Sequence, residues 1–158
     1  MRGKKFANDS NNQAKRFQLA GLALSEMRIR NRELIYPVLV EGKRDKIALE
    51  SLGFTGKIEI LNRGWPIERV VTSLFEHYGR RNPADSGPVI SVLMDWDRTG
   101  GRLQTKLIQS MESLDMKVCQ DTRNVLMKAI KPETRVVESL KGLSHMLLPI
   151  IDSYDYQS

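Results

Sequence analysis

Cysteine is almost absent: Cys119 is the single one in the 158-residue chain, so no internal disulfide can form. Its place in the apolar fragment MKVC reads as a buried, inert thiol. The two histidines, His77 and His145, fall on separate predicted helices with no paired ligand or nucleophile nearby. That leaves no histidine and cysteine cluster for zinc. No apolar run approaches the length of a membrane span, and the opening MRGKKFANDSNNQ has no apolar signal-peptide core. The expectation is a cytoplasmic protein with no membrane partner. No internal repeat is found, which sets aside solenoid and propeller folds.

What is present suits one globular domain: 41% hydrophobic and 28% charged residues in a chain long enough for a real core. The net charge of +6 is unevenly placed. Eight cations (Arg2, Lys4, Lys5, Lys15, Arg16, Arg28, Arg30, Arg32) precede the first predicted strand, against Asp9, Glu26 and Glu33. Such a segment either follows a phosphate backbone or is a solvated helix face.

Residues 1–12 are polar and without periodicity, and read as a mobile tail. From Gln13 to Asn31, Phe17, Ala20, Leu24 and Met27 form one helical stripe, with Lys15, Arg16, Arg28 and Arg30 on the other face as a candidate substrate-facing arm. Strands are expected at Val38–Glu41, Lys57–Leu61, Val89–Met94 and Met116–Cys119, alternating with helices at Lys43–Ser51, Pro66–Tyr78, Arg102–Leu114 and from Asp121 or Thr122 to Ile130. A last helix spans Thr134–Ile151 before a frayed DSYDYQS ending. Strands and helices alternating at this spacing require right-handed crossovers, and so an α/β, doubly wound, four-stranded parallel sheet with helices on both faces, of strand order 2-1-3-4.

Two stretches carry chemistry. In PVLVEGKRDKIAL and PVISVLMDWDRTGGRL, an apolar strand ends in carboxylates and passes into a helix. Ligands of open α/β sheets bind at the carboxyl ends of the strands, which is where Glu41, Asp95 and Asp97 fall. Three carboxylates sharing a few ångströms repel by roughly 4 kcal/mol per pair at an effective dielectric near 20. A proton or a cation must offset that, and oxygen-only ligands favour Mg2+, with Mn2+ as a substitute.

Glu41 followed by Gly42 after the first strand, Asp45 and Leu49 in the next helix, and Asp95, Asp97 and Gly100 after a later strand resemble the Toprim family. This is the Rossmann-like catalytic module of topoisomerases, bacterial-type primases and several nucleases. The resemblance covers roughly residues 36–130 and is nearest in organisation to small stand-alone, archaeal-type Toprim proteins and to the nuclease that matures 5S ribosomal RNA. It implies three segments: a polar tail and basic helix (1–35), the Toprim domain (36–130), and a C-terminal helix packed on it (131–158).

The resemblance also implies roles. Glu41 would be the general acid or base, and Asp95 and Asp97, with Glu41, the ligands of one or two Mg2+ ions. Asp45 would stand behind these ligands or on a second ion, or be a plain helix N-terminal aspartate. Apart from the resemblance, Lys43, Arg44 and Arg98 flank the carboxylates and Arg63 lies on a loop leaving the same sheet edge, so these four are candidate phosphate or substrate contacts or else plain surface charges. Gly42 would allow close backbone approach, and Gly100 a tight turn into a helix whose N-terminus favours an anion. Trp65 either stacks on a base or staples its helix.

The expected function is Mg2+-dependent phosphodiester chemistry on RNA or DNA, nuclease-like, with nucleic acid and other nucleic-acid-processing proteins as partners. The alternatives are a non-catalytic, metal-dependent binding or assembly module, and nucleotidyl or phosphoryl transfer. Tyr36, Tyr78, Tyr154 and Tyr156 have no cleavage-domain context and no zinc module is present, which argues against an independent topoisomerase or primase.

Overall fold

The computed structural model describes residues 2–157, with side chains from residue 11 onward. The chain runs α1 (Arg2–Glu33), β1 (Val38–Val40), α2 (Lys43–Ser51), β2 (Ile58–Ile60), α3 (Ile67–Tyr78), β3 (Ile90–Val92), α4 (Arg98–Glu112), β4 (Val118–Cys119) and α5 (Asp121–Ala129). A 3-10 helix at Val137–Lys141 and α6 (Ser144–Ser153) complete it.

The sheet is parallel, in the order β2-β1-β3-β4. Val38 lies opposite Ile58 on one side and Ser91 on the other, and every residue of β1 and β3 is buried. Side chains alternate between two cores. Val38, Val40 and Leu93 pack with Phe17, Ala20, Leu24 and Met27 of α1, Leu49 of α2 and Leu126 of α5. Leu39, Ile90, Val92 and Met94 pack with Val70 and Leu74 of α3 and Leu107 and Met111 of α4. Right-handed crossovers dictate this division: a chain moving from β1 to β2 passes one face, and a chain moving from β2 to β3 to β4 passes the other.

Four boundaries depart from the sequence reading. Helix α1 begins at Arg2, where a mobile tail to residue 12 was expected; the side chains of Arg2, Lys4 and Lys5 lie outside the described residues. Helix α4 begins at Arg98 rather than Arg102, because Asp97 caps it by accepting from the Gly100 N–H at 2.8 Å, which nucleates the helix a turn early. The single C-terminal helix is instead a 3-10 turn and α6, broken at Gly142 and Leu143. The ending is not frayed: the Asp155 carboxylate is fully buried and accepts from Arg28 at 2.9 Å and Arg32 at 2.6 Å.

The basic arm is corrected by the same contacts. Arg16 pairs with Glu133 at 2.7 Å, Arg28 with Asp152 and Asp155, Arg30 with Asp85 at 2.6 Å, and Arg32 with Asp155. These arginines fasten α1 to the body. Lys15, of the four cations assigned to that face, is exposed and, among the described residues, in no ion pair. Cys119 is half-buried rather than buried, and His77 and His145 are exposed on α3 and α6. Among the described residues, no helix is long and apolar enough to cross a membrane.

Candidate functional site

Strands β1 and β3 are neighbours, and the chain leaves them toward opposite faces, so a crevice opens at their carboxyl ends. Leu93 N–H donates to the Leu39 carbonyl at 2.8 Å, which extends the ladder toward Glu41 and Asp95. The resulting cleft is lined by Glu41, Gly42, Lys43, Arg44, Asp45, Asn62, Asp95, Val136 and Glu138. Asp97 is not part of that lining, although its charge acts on Glu41 and Asp95, and Trp96 between the two aspartates turns inward and is buried.

The three aspartates are positioned by backbone donors. Asp95 Oδ1 accepts from Val137 N–H at 2.7 Å, Asp97 Oδ1 from Gly100 N–H, and Asp45 Oδ2 from Gly42 N–H at 3.0 Å. For Asp95 and Asp97 this leaves the second oxygen without a protein donor among the described residues. Burial raises the proton affinity of Glu41, and the charges of Asp95 and Asp97 raise it further. Burial also raises Asp95, helped by Asp45, Asp97 and Glu138 and opposed by the Val137 bond. Asp45 is raised by burial and by Glu41 and Glu138.

The glycines act differently from each other. A Cβ on Gly100 would lie 2.1 Å from the Asp95 carbonyl oxygen, so its role is close approach of α4 to the aspartate loop, not the tight turn expected. A Cβ on Gly42 would meet nothing within 4 Å, which leaves that side of the cleft open to a ligand.

Lys43 and Arg44 are exposed on the first turn of α2 beside the acids, and Arg98 is exposed at the start of α4. Arg63 is not brought into the cleft: its Nε donates to the Ile60 carbonyl at 2.8 Å and its guanidinium lies 3.7 Å from Glu59. Asn62 occupies the cleft wall in its place, its N–H donating to the Glu41 carbonyl at 2.9 Å.

Three participants were missed in the sequence. Glu138 and the N–H of Val137 belong to a segment at 134–138 that straps the aspartate loop, with Trp96 N–H bonded to the Arg135 carbonyl at 2.9 Å and Trp96 Nε1 to the Thr134 carbonyl at 2.7 Å. Arg123, buried on α5, donates to the carbonyls of Met94 at 3.1 Å and Asp95 at 2.9 Å. Burial lowers the proton affinity of its guanidinium, and the charges of Asp95 and Asp97 partly restore it. No sequence signal marked any of the three: Glu138 and Arg123 read as solvated charges on helices, and Val137 as part of an apolar helix stripe.

Arg16, Arg28, Arg30 and Arg32 of α1 are paired, whereas Lys43, Arg44, Arg98, Arg135 and Lys141 are exposed and, among the described residues, in no ion pair. Among the described residues no three His, Cys, Asp or Glu groups converge closely enough to hold a metal ion.

No family model matches the chain. A solved structure of a protein from Aquifex aeolicus has the same fold, with a TM-score of 0.55 and 26% identity over 74% of this chain and 94% of that one. A UPF0292 protein from Thermococcus onnurineus is 29% identical over 78% of this chain and 84% of its own length. Another, from Thermococcus sibiricus, is 33% identical over 71% of this chain and 80% of its own. With such identity across most of both chains, this protein belongs to the UPF0292 family.

Proposed function

We propose that the cleft is the active site of a Toprim-type protein that acts on RNA or DNA by magnesium-dependent phosphodiester chemistry, hydrolysis first, in the cytoplasm. The observation that carries this reading is the pairing of opposites at one sheet end: Glu41, Asp45 and Asp95 hold mutually repelling charge, and unpaired cations stand around them.

The donor chemistry fits a hard cation. Every candidate ligand is a carboxylate oxygen, and Asp95 and Asp97 each keep one oxygen uncommitted. A trio is not required, because magnesium commonly takes one or two carboxylates and fills its shell with water and phosphate oxygens. Asp95 and Asp97 would hold it. When bound it neutralises phosphate charge and makes a coordinated water more acidic.

The chain's own residues do the rest. Glu41, whose proton affinity is raised, carries the proton to or from the reacting oxygen. Lys43 and Arg44, on the first turn of α2, hold flanking phosphates, and Gly42 lets the backbone of the strand come close. Arg123 and the Val137 N–H keep the Asp95 loop in place.

A second reading, a module that binds and positions nucleic acid without cutting it, is favoured by the lack of a converged trio among the described residues. A panel of single- and double-stranded RNA and DNA incubated with Mg2+ or Mn2+ separates the two. Cleavage that Glu41→Gln and the Asp95→Asn, Asp97→Asn double variant each abolish supports the nuclease. Salt-sensitive binding that survives Glu41→Gln, with no cleavage by either form, sinks the nuclease and leaves the module.

A further inference from the structure

The turn after β2 hangs directly on the cleft. Asn62 N–H is bonded to the Glu41 carbonyl, so Trp65, three residues on, lies at most about 10 Å of chain away. Gly64, at φ +79, supplies the left-handed residue that turns the chain back, and Pro66 opens α3. Trp65 does not serve the core: α3 buries Val70, Val71 and Leu74, whereas the indole keeps 37% of its surface exposed.

The indole is instead held by cations. The Arg69 guanidinium lies 4.1 Å from the ring centroid and that of Arg63 5.5 Å, and Arg63 is itself fixed by its bond to Ile60. A guanidinium stacked on an indole keeps its N–H fork directed outward, available to a phosphate. Beside the ring is a hollow lined by Glu68, Arg69, Thr72, Ser73 and Glu76. The two glutamates repel phosphate from the hollow, so a neutral base fits there and its phosphate belongs on the arginine side.

We propose that Trp65 and Arg69 form a stacking platform for an unpaired nucleobase next to the acidic cleft, which makes single-stranded nucleic acid the preferred ligand. The inference rests on the nucleic-acid reading of that cleft. A base within a duplex has both faces covered by its neighbours, and only an unpaired one offers a face to an indole.

The chain has two tryptophans, and the second, Trp96, is buried at 4% exposure, so quenching of emission reports on Trp65. The whole protein is titrated in EDTA with short oligothymidylate and with a duplex of equal length, so cleavage plays no part. The single strand is expected to quench emission and the duplex to leave it unchanged. With a dye-labelled strand followed by anisotropy, Trp65→Ala and Arg69→Gln each weaken single-strand binding by about tenfold, and Trp65→Phe restores most of it. Melting curves matching wild type confirm that the exposed variants fold. Equal quenching by the duplex, no quenching by the single strand, or unchanged affinity in Trp65→Ala overturns the platform. Strand-selective quenching by a protein that cuts nothing overturns the phosphodiester reading and leaves the platform standing.

Discussion

Val137 donates its backbone N–H to Oδ1 of Asp95 at 2.7 Å, across 42 residues of sequence. The bond ties the C-terminal strap to the acid at the carboxyl end of β3, and it needs an oxygen acceptor but not a charge. Asp95→Asn keeps an acceptor, whereas Asp95→Ala leaves the Val137 N–H with none. The alanine variant is expected to be less stable than the asparagine variant by about 2 kcal/mol, read from urea unfolding midpoints.

Glu41 has a folded-state proton affinity above its unfolded one, so its ionised form opposes folding. The folded protein binds more protons than the unfolded one between the two values, and this contribution therefore makes stability fall as pH rises through that window. Glu41→Gln is expected to melt above wild type at neutral pH in EDTA. The gain should shrink on acidification and vanish below the ordinary glutamate range; a gain independent of pH would refute the repulsion as its source.

Divalent cations should reverse that order. Wild type is expected to gain thermal stability as Mg2+ is titrated, by about 2.7 kcal/mol at a hundredfold excess over the dissociation constant, and the Asp95→Asn, Asp97→Asn variant to gain none. Calcium serves as the comparison ion. Equal responses in both proteins would place any bound metal elsewhere.

Gly100→Ala and Gly42→Ala should part company. The first forces a methyl group against the Asp95 backbone and is expected to cost about 1–3 kcal/mol. The second meets open space and is expected to change stability by no more than about 0.5 kcal/mol. If Gly42 admits the ligand, its alanine variant loses affinity for nucleic acid instead.

The division between paired and unpaired cations predicts salt dependence. Alanine at Lys43, Arg44 or Lys141 is expected to flatten the slope of log K against log salt by about 0.7 per residue for a single strand. Arg30→Ala, which removes a partner of Asp85, should leave that slope unchanged and lower stability. Asp85, held down to about 2 by Arg30 and the Gly87 N–H, then returns toward the ordinary aspartate range.

Much of the architecture was legible because strong local patterns agreed with the global fold. The continuous apolar runs at Val38 and Val89 mark strands buried on both faces, and crossover handedness then leaves the order 2-1-3-4. Helix α2 came out at Lys43–Ser51 as read, since Gly42 and Gly53 bracket it. The neighbourhood of Glu41 and Asp95 follows from β1 and β3 pairing.

What was not legible depends on partners distant in sequence. Val137, Leu140, Leu143 and Leu147 satisfy the period of one helix, yet the Val137 N–H is taken by Asp95, so no helix runs in from Thr134, and the chain turns again at Gly142 and Leu143 before α6. Arg16, Arg28 and Arg30 read as part of a basic face because Glu133, Asp85, Asp152 and Asp155 lie far along the chain. Asp155 looked like part of a polar ending for the same reason.

Arg123 gives the cleft a polarity of its own. Its positive charge lies beneath the carbonyls of Met94 and Asp95, and the carboxylates lie above, so the two form a charged double layer with its negative sheet toward solvent. A small cation is drawn in at short range by the near sheet, while the outer ring of lysines and arginines draws a polyanion at longer range. On the reading proposed above, a bound cation would screen the polyanion from the carboxylates, so each ligand is expected to bind less tightly alone than with the other.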